Sequence, residues 1–458
     1  MATTKKSDTA KKKAPAKKKA PAKKTSKKTA TKARRAVIVS GARTPFVRAF
    51  KEFTTMDAIA LGDAAVKALL DKTELPYSEL DALIWSGVIL PSAAPNVGRE
   101  IVLDLGLPHS VEATTITMAC ASGLRAITTA VAMIERGDAD VVIAGGADST
   151  SNAEIKLPQK VVHTVAPVAM SGKATAMDWV QVVAQLAPFT DILPKRPKIA
   201  ERTTGQVMGE AAEEMAERNG ITREAQDTFA VMSHHRAAAA IESGRFGDEV
   251  TPVTTPEGKT IYADTIVRGD TSVEKLAKLR SVFKKNGTLT AGNSSALTDG
   301  AAAVLIMTEE KAKALGYTPK AAFRSWNYIG VDPADQLLMG PALAMPNALD
   351  RAGMALKDVD FVDMHEAFAA QVLSVLKMLG SKGFAKERLG KSKAVGEVDH
   401  ALLNLHGGSV SLGHPFGATG ARMVMTVANE LAARDAETAL LGICAAGGLG
   451  AGAVMERV

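Results

Sequence analysis

Shifting the chain by 297 positions lays Gly123 on Gly420, Arg125 on Arg422, and Asp138-Ala139 on Asp435-Ala436. Earlier in each half, Glu79-Leu80-Asp81-Ala82-Leu83-Ile84 matches Asp358-Val359-Asp360-Phe361-Val362 at a shift of 279. Two ordered pairs of matches point to an internal duplication, which restricts the architecture more than any other feature of the chain. Around the first copy, Ala113 to Met118 are β-branched and apolar, and Cys120-Ala121-Ser122-Gly123 turns the chain. Leu124, Ile127, Val131 and Ile134 then recur at helical spacing before Val141-Val142-Ile143. Strand, sharp turn, helix and strand, occurring twice, predict two like α/β halves related by a pseudo-twofold axis. The turn at Cys120 and the turn at Gly413 to Gly420 then become equivalent corners facing one shared cleft.

Between the strands of the first half, residues roughly 150 to 280 interrupt the repeat with helical stretches and several methionines. An insert of this length is expected to serve function, here as a substrate lid. The predicted divisions are a tail over 1–35, a first half over 36–150 and 281–315, an inserted domain over 151–280, and a second half over 316–458. The tail holds thirteen Lys and two Arg against one Asp, a net +14, so the rest of the chain carries −7 of the total +7. Its Lys-Ala-Pro-Thr repeats cannot bury enough surface to fold. It is expected to be disordered, either as a solubilising extension or as a contact to a polyanion such as nucleic acid or an anionic membrane. A mitochondrial presequence fits poorly, because the charge is nearly all Lys and no amphipathic apolar face appears.

The 46% hydrophobic content over 458 residues suffices for two or three cored domains. Only two cysteines occur, Cys120 and Cys444, which argues against a disulfide framework or a zinc cluster and for a reducing compartment. With no apolar run of membrane-spanning length and no signal-peptide core before the first strand, the expectation is a soluble, intracellular, cytoplasmic protein.

Cys120 is placed at a helix N-terminus, where unpaired N–H groups and the positive dipole end favour a thiolate and can hold an anion. His365 follows the strand Asp360 to Val362, His414 sits on the corner equivalent to Cys120, and Cys444 follows the strand Ala439 to Ile443. Each reactive side chain therefore lies where a strand ends, the two cysteines beside glycines that permit close backbone approach. Glu366 is read either as a base or as a carboxylate that orients a histidine or caps a helix, while His234, His235 and His406 are read as surface or packing residues.

These residues resemble the thiolases, acyl-CoA acyltransferases that make or break carbon–carbon bonds at 3-ketoacyl-CoA. The resemblance runs from about Arg35 to Val458 through MACASGL at Met118, TAGNSSALTDGAA at Thr290, HEAFAAQ at His365, GGSVSLGHPFGATGAR at Gly407 and CAAGGLG at Cys444. It implies two βαβαβαββ halves in a five-layered α-β-α-β-α fold with an inserted loop domain. By the same resemblance Cys120 carries the acyl group and His414 is the base that makes its thiolate. Cys444 is the second acid/base, and His365 with His414 forms the hole for an enolate oxygen. The N–H groups of Cys120 and Ala446 form the other oxyanion hole, and Ser295 and Met339 contact substrate or CoA. No metal or resident cofactor is implied, coenzyme A being a co-substrate.

Most thiolases carry Asn where this chain has His365 and Gly where it has Ala446. His365, DQLLMGPALA at Asp335 to Ala344, and CAAGG resemble the β-subunit of the fatty-acid-oxidising trifunctional enzyme. That tilts the expected reaction toward thiolysis in β-oxidation and the substrate toward medium or long chains. It also implies self-association as dimer or tetramer and admits a partner subunit with hydratase and dehydrogenase activities. The alternatives are a biosynthetic acetoacetyl-CoA thiolase, a ketoacyl synthase, for which Cys444 is superfluous, and a lapsed, tail-tethered thiolase fold, which would require loss of a reactive residue.

Overall fold

Alternate residues of the strand Val141–Ser149 enter different cores: Val142 and Ala144 pack into one apolar cluster, Val141 and Ile143 into another. Such alternation is what a strand covered by helices on both faces requires. The computed structural model describes residues 34–187 and 200–458, with Met1, Thr3, Ile192 and Leu193. Apart from Met1, Thr3, Arg34 and Arg35, the tail expected over 1–35 lies outside the described residues. The chain divides into Met1–Ala33 and Arg34–Val458, and every strand and helix among the described residues belongs to the second unit.

Its strands are β1 (Ala36–Arg43), β2 (Val47–Arg48), β3 (Ala82–Ser86), β4 (Glu112–Ile116), β5 (Val141–Ser149), β6 (Val253–Thr254), β7 (Thr260–Ile261), β8 (Thr298–Thr308), β9 (Ala321–Gly330), β10 (Phe361–Met364), β11 (Thr438–Ala445) and β12 (Leu449–Arg457). Ten of them form one mixed sheet in the order β10-β11-β12-β9-β1-β8-β5-β3-β4, with β2 on β8; β6 and β7 pair separately. The sheet narrows between β1 and β9, whose register is the single pair Ile38 with Ala321, joined by the Lys320 N–H to the Ile38 carbonyl at 2.9 Å.

On either side of this narrow joint the pairing repeats. β1-β8-β5 are antiparallel neighbours and β5-β3 parallel ones; β9-β12-β11 are antiparallel and β11-β10 parallel. β4 runs parallel to β3, and a parallel bridge from Val362 to Leu403 occupies the corresponding place beside β10.

Helices Ala58–Thr73 and Val97–Asp104 cover the outer face of the first half-sheet, and Pro341–Ala352 and Ala369–Leu379 that of the second. Between the half-sheets lie Ser122–Arg136 and Phe416–Arg434, whose side chains share one core with residues of β5, β8, β11 and β12. The result is the α-β-α-β-α layering. Ser122–Arg136 is amphipathic and stops at Gly137, whose φ of 87° is open to glycine at low cost.

Helices Gln159–Ala169 and Ala176–Leu186 pack on each other, with Val182 as their one buried residue. Helices Met208–Asn219 and Arg223–Glu242 instead lie against Ala369–Leu379. Buried carboxylates fasten these two: Glu213 accepts from Leu289 N–H at 2.7 Å, and Asp227 from the Asn293 amide at 2.9 Å. No helix among the described residues is long and apolar enough to cross a membrane.

Candidate active site

After β4 the chain reverses through Ala119, a non-glycine residue at φ 47°, and presents Cys120 just ahead of helix Ser122–Arg136. A left-handed alanine costs roughly 1–2 kcal/mol. Ser122 holds the turn closed, its hydroxyl accepting from the Met118 N–H and donating to the Ala119 carbonyl, both at 2.6 Å. The N–H groups of Ala446 and of Cys120 itself face the Cys120 sulfur. Burial nevertheless outweighs them and pushes the thiol up to about 12. The expected thiolate is thus opposed by enclosure of the half-buried sulfur, which disfavours the anion, while two N–H groups and the helix partial charge favour it.

His365 lies directly after β10, its N–H bonded to the Gly442 carbonyl at 2.8 Å and its Nδ1 to the Ser409 hydroxyl at 2.9 Å. His414 follows Gly413, whose φ of 103° suits glycine and where a Cβ would meet Ile266 and Thr298 within 3 Å. Its N–H donates to Thr298 Oγ1 at 3.0 Å and its Nδ1 pairs with Thr419 Oγ1 at 2.7 Å. Since the Thr419 hydroxyl already donates to the Pro415 carbonyl at 3.1 Å, it accepts from Nδ1–H and leaves Nε2 of His414 a lone pair. The two rings stand 4.1 Å apart between centroids, tilted by 47°, with Phe416 edge-on to His414. Both Nε2 atoms are buried without a partner among the described residues.

Burial, helped by His414 and the Arg422 guanidinium, holds His365 well below the usual histidine range. Burial and Arg422 push His414 down to about 3. Both imidazoles are thus neutral near pH 7, as a proton acceptor and a neutral donor must be.

The sulfur of Cys120 and one nitrogen from each histidine lie within 4.8 Å of one another. Cys444, the penultimate residue of β11, is fully buried, and burial with the neighbouring Cys120 pushes its thiol well above the ordinary value. Gly447 and Gly448, at φ 82° and 66°, carry the turn after it, and Ala446 needs no left-handed conformation. A cavity of about 440 Å³ brings together Cys120, His414, Cys444, Ala446 and Ser295, and its remaining wall is mostly apolar, including Met208, Phe283, Leu297, Leu338, Phe368 and Phe416. Met339 is not on that wall; it is 1% exposed in the core, and its neighbour Leu338 reaches the cavity instead.

Glu366 is fully buried and accepts from Ser233 Oγ at 2.7 Å, Asn404 Nδ2 at 2.6 Å and Val410 N–H at 3.1 Å. None of these donors is a histidine; the Val410 N–H lies in the first turn of the short helix Ser409–Leu412, which Glu366 fixes to the helix Arg223–Glu242. Asp148, which the sequence did not single out, accepts from the N–H groups of Val88, Ile89 and Gly417 and so ties the His414 corner to the first half. Thr419 and Ser409 also escaped sequence reading, although Thr419 stands five residues after His414 in the same glycine-rich loop. His406, read as packing, is bonded to Glu430 at 2.6 Å.

Residues 36–310 match the family model described as thiolase, N-terminal domain, and residues 317–457 the one described as thiolase, C-terminal domain. A 3-ketoacyl-CoA thiolase of Aliivibrio fischeri is 44% identical over 430 residues, covering 93% of this chain and 97% of that protein. One from Escherichia coli O157:H7 is 43% identical over 424 residues, with 92% and 97% covered. Among solved structures, human mitochondrial 3-ketoacyl-CoA thiolase is similar at a TM-score of 0.77 and 30% identity, covering 93% of this chain and 99% of that one. The Bacillus anthracis acetyl-CoA acetyltransferase is similar at 0.78 and 32%, with the same coverage.

Proposed function

Because this chain belongs to the thiolase family of acyltransferases, we propose that it is a 3-ketoacyl-CoA thiolase, cleaving 3-ketoacyl-CoA with CoA to acetyl-CoA and a shortened acyl-CoA. The observation that carries this reading is the gathering of two thiols and the neutral His414 imidazole on one apolar cavity, with the neutral His365 ring packed against His414 just off its wall. One thiol has to add to a carbonyl while the other moves a proton to carbon.

In this mechanism His414 Nε2 takes the Cys120 proton as the sulfur attacks the 3-keto carbon. The developing oxyanion is received by the N–H groups of Cys120 and Ala446, which already face the sulfur. Breaking the C2–C3 bond sends its electron pair into the acetyl-CoA enolate, whose oxygen lies between Nε2–H of His365 and the newly protonated Nε2 of His414. Cys444 then gives its proton to C2, and acetyl-CoA leaves. Next, the Cys444 thiolate takes the proton of incoming CoA, whose sulfur attacks the Cys120 thioester. Collapse releases the shortened acyl-CoA, and His414 returns its proton to Cys120.

The finer reading is a degradative enzyme of the trifunctional β-subunit type, supported by His365 and by the apolar wall of the cavity, which suits acyl chains longer than four carbons. Ser295 is read as a contact for the pantetheine arm, and residues 151–280, which contribute Met208 to the cavity wall, as a lid and CoA-binding domain. Self-association as dimer or tetramer, a hydratase/dehydrogenase partner and a polyanion contact through residues 1–35 belong to the same proposal. Thiolysis of 3-ketoacyl-CoAs from C4 to C16 tests it. A rate that persists or rises beyond C8 supports the degradative reading; activity confined to C4 replaces it with the biosynthetic acetoacetyl-CoA enzyme.

A further inference from the structure

Cys120 and His414 on the cavity wall, with His365 packed against His414 just off it, make a donor set that acyl transfer alone does not call for. An enolate oxygen needs one N–H from position 365, which an amide would supply. An imidazole there adds a second nitrogen ligand beside a thiol. The sulfur of Cys120 and the ring nitrogens of His365 and His414 lie within 4.8 Å of one another. The histidines are 0% and 4% exposed, and each has a buried Nε2 without a partner among the described residues.

We propose that Cys120, His365 and His414 form an inhibitory site for a thiophilic divalent cation, Zn²⁺. One thiolate and two neutral imidazoles are the donors this ion prefers. Zinc bonds of about 2.3 Å to sulfur and about 2.0–2.1 Å to nitrogen put tetrahedral donors about 3.3–3.6 Å apart. The cluster closes onto the ion by a contraction of about 1 Å or a little more, within reach of a rotation of the Cys120 side chain. Each imidazole is already held through Nδ1, by Ser409 and Thr419 at 2.9 and 2.7 Å, which is the outer hydrogen bond that zinc-binding histidines use to fix their ring; for His365 the ion selects the tautomer with Nδ1–H donating to Ser409, whereas enolate binding uses the Nε2–H tautomer, to which the Ser409 hydroxyl donates instead. On binding, the Cys120 S–H bond breaks, its proton leaves to solvent and a sulfur–zinc bond forms, with no change of oxidation state. The fourth position is left to a solvent molecule from the cavity. The ion occupies the nucleophile and the base together, so it competes with acyl-CoA.

Co²⁺, the optical surrogate for zinc, tests this on the full-length protein without reference to turnover. The expected result is one equivalent of Co²⁺ giving a thiolate-to-cobalt charge-transfer band that Zn²⁺ displaces, that Cys120→Ser abolishes, and whose affinity falls at least tenfold in His365→Asn. Absence of the band from the wild type, or equal affinity in His365→Asn, overturns the site. Should His365→Asn not fold, alkylation of the wild type decides: Zn²⁺ is expected to protect Cys120 from iodoacetamide and EDTA to restore reaction, whereas an unchanged alkylation rate overturns the proposal. Thiolysis assayed in EDTA tests the acyl-transfer reading separately, so the failure of either leaves the other standing.

Discussion

Gly123 and Gly420, 297 residues apart, meet backbone to backbone where the two central helices cross. A Cβ on Gly420 would lie 2.3 Å from the Leu124 nitrogen, and one on Gly123 would lie 2.5 Å from the Gly417 carbonyl oxygen. The crossing brings the start of one helix, which comes after Cys120, against the start of the other, which comes after His414. Nucleophile and base are therefore set at their separation by two missing methyl groups.

Gly420→Ala is expected to force the helices apart, since the obstruction is backbone and cannot rotate away. Overpacking of this kind costs about 1–3 kcal/mol or more. Thermal unfolding should show the loss, and acylation by substrate should slow by more than the fraction unfolded accounts for.

Thr419→Val removes the group that holds the His414 proton on Nδ1 while keeping the volume. General-base catalysis contributes about 10²–10⁴-fold, so kcat is expected to fall by about tenfold to a hundredfold with little change in KM. Thr419→Ser should restore most of it. A variant with unchanged kcat would show that the tautomer is set elsewhere.

The two cysteines should separate by step. Cys120→Ser is expected to form no acyl-enzyme, whereas Cys444→Ser still acylates and turns over slowly, because addition to the carbonyl does not need the second thiol. Mass spectrometry of the protein after mixing with 3-ketoacyl-CoA distinguishes them. Full turnover by Cys444→Ser would remove its assigned role.

Asp148 is pushed up to about 6 by burial, against three backbone N–H donors that lower it. A carboxyl whose folded pKa lies above its unfolded value near 3.8 binds more protons in the folded state. Its contribution to stability therefore falls as pH rises from about 4 through about 6 and is flat beyond. The full span is on the order of 3 kcal/mol, at about 1.4 kcal/mol per pH unit. Unfolding free energies of the wild type and Asp148→Asn, compared from pH 4 to 7, should diverge over that window. A difference independent of pH would count against a titrating Asp148.

If the basic tail tracks phosphate, binding to DNA or to anionic vesicles should need residues 1–35 and weaken as salt rises. Salt-insensitive binding, or binding that survives the deletion, would count against it.

Much of the chemistry was legible along the chain, because it is local. Turns after apolar strands mark Cys120, His365, His414 and Cys444, all but His365 flanked by glycine, and the repeated Gly and Arg spacing marks two like halves. What escaped was what depends on partners distant in sequence. Leu338 rather than Met339 faces the cavity, because which side chain of a buried segment points inward is settled by packing, not by motif. The anchoring contacts of Glu366 were not legible either, since its three donors come from positions 233, 404 and 410.

The protonation state of Cys120 is the sharpest case. A helix N-terminus is visible in sequence and favours the anion, but the enclosure that opposes it comes from residues as far along the chain as Ala446 closing over one cavity. Sequence by itself determined which groups react and that two copies of one unit would bring them together. Only the tertiary structure decided their charge, their tautomers and their separation, because hydration, hydrogen-bond direction and backbone contact are properties of the assembled site.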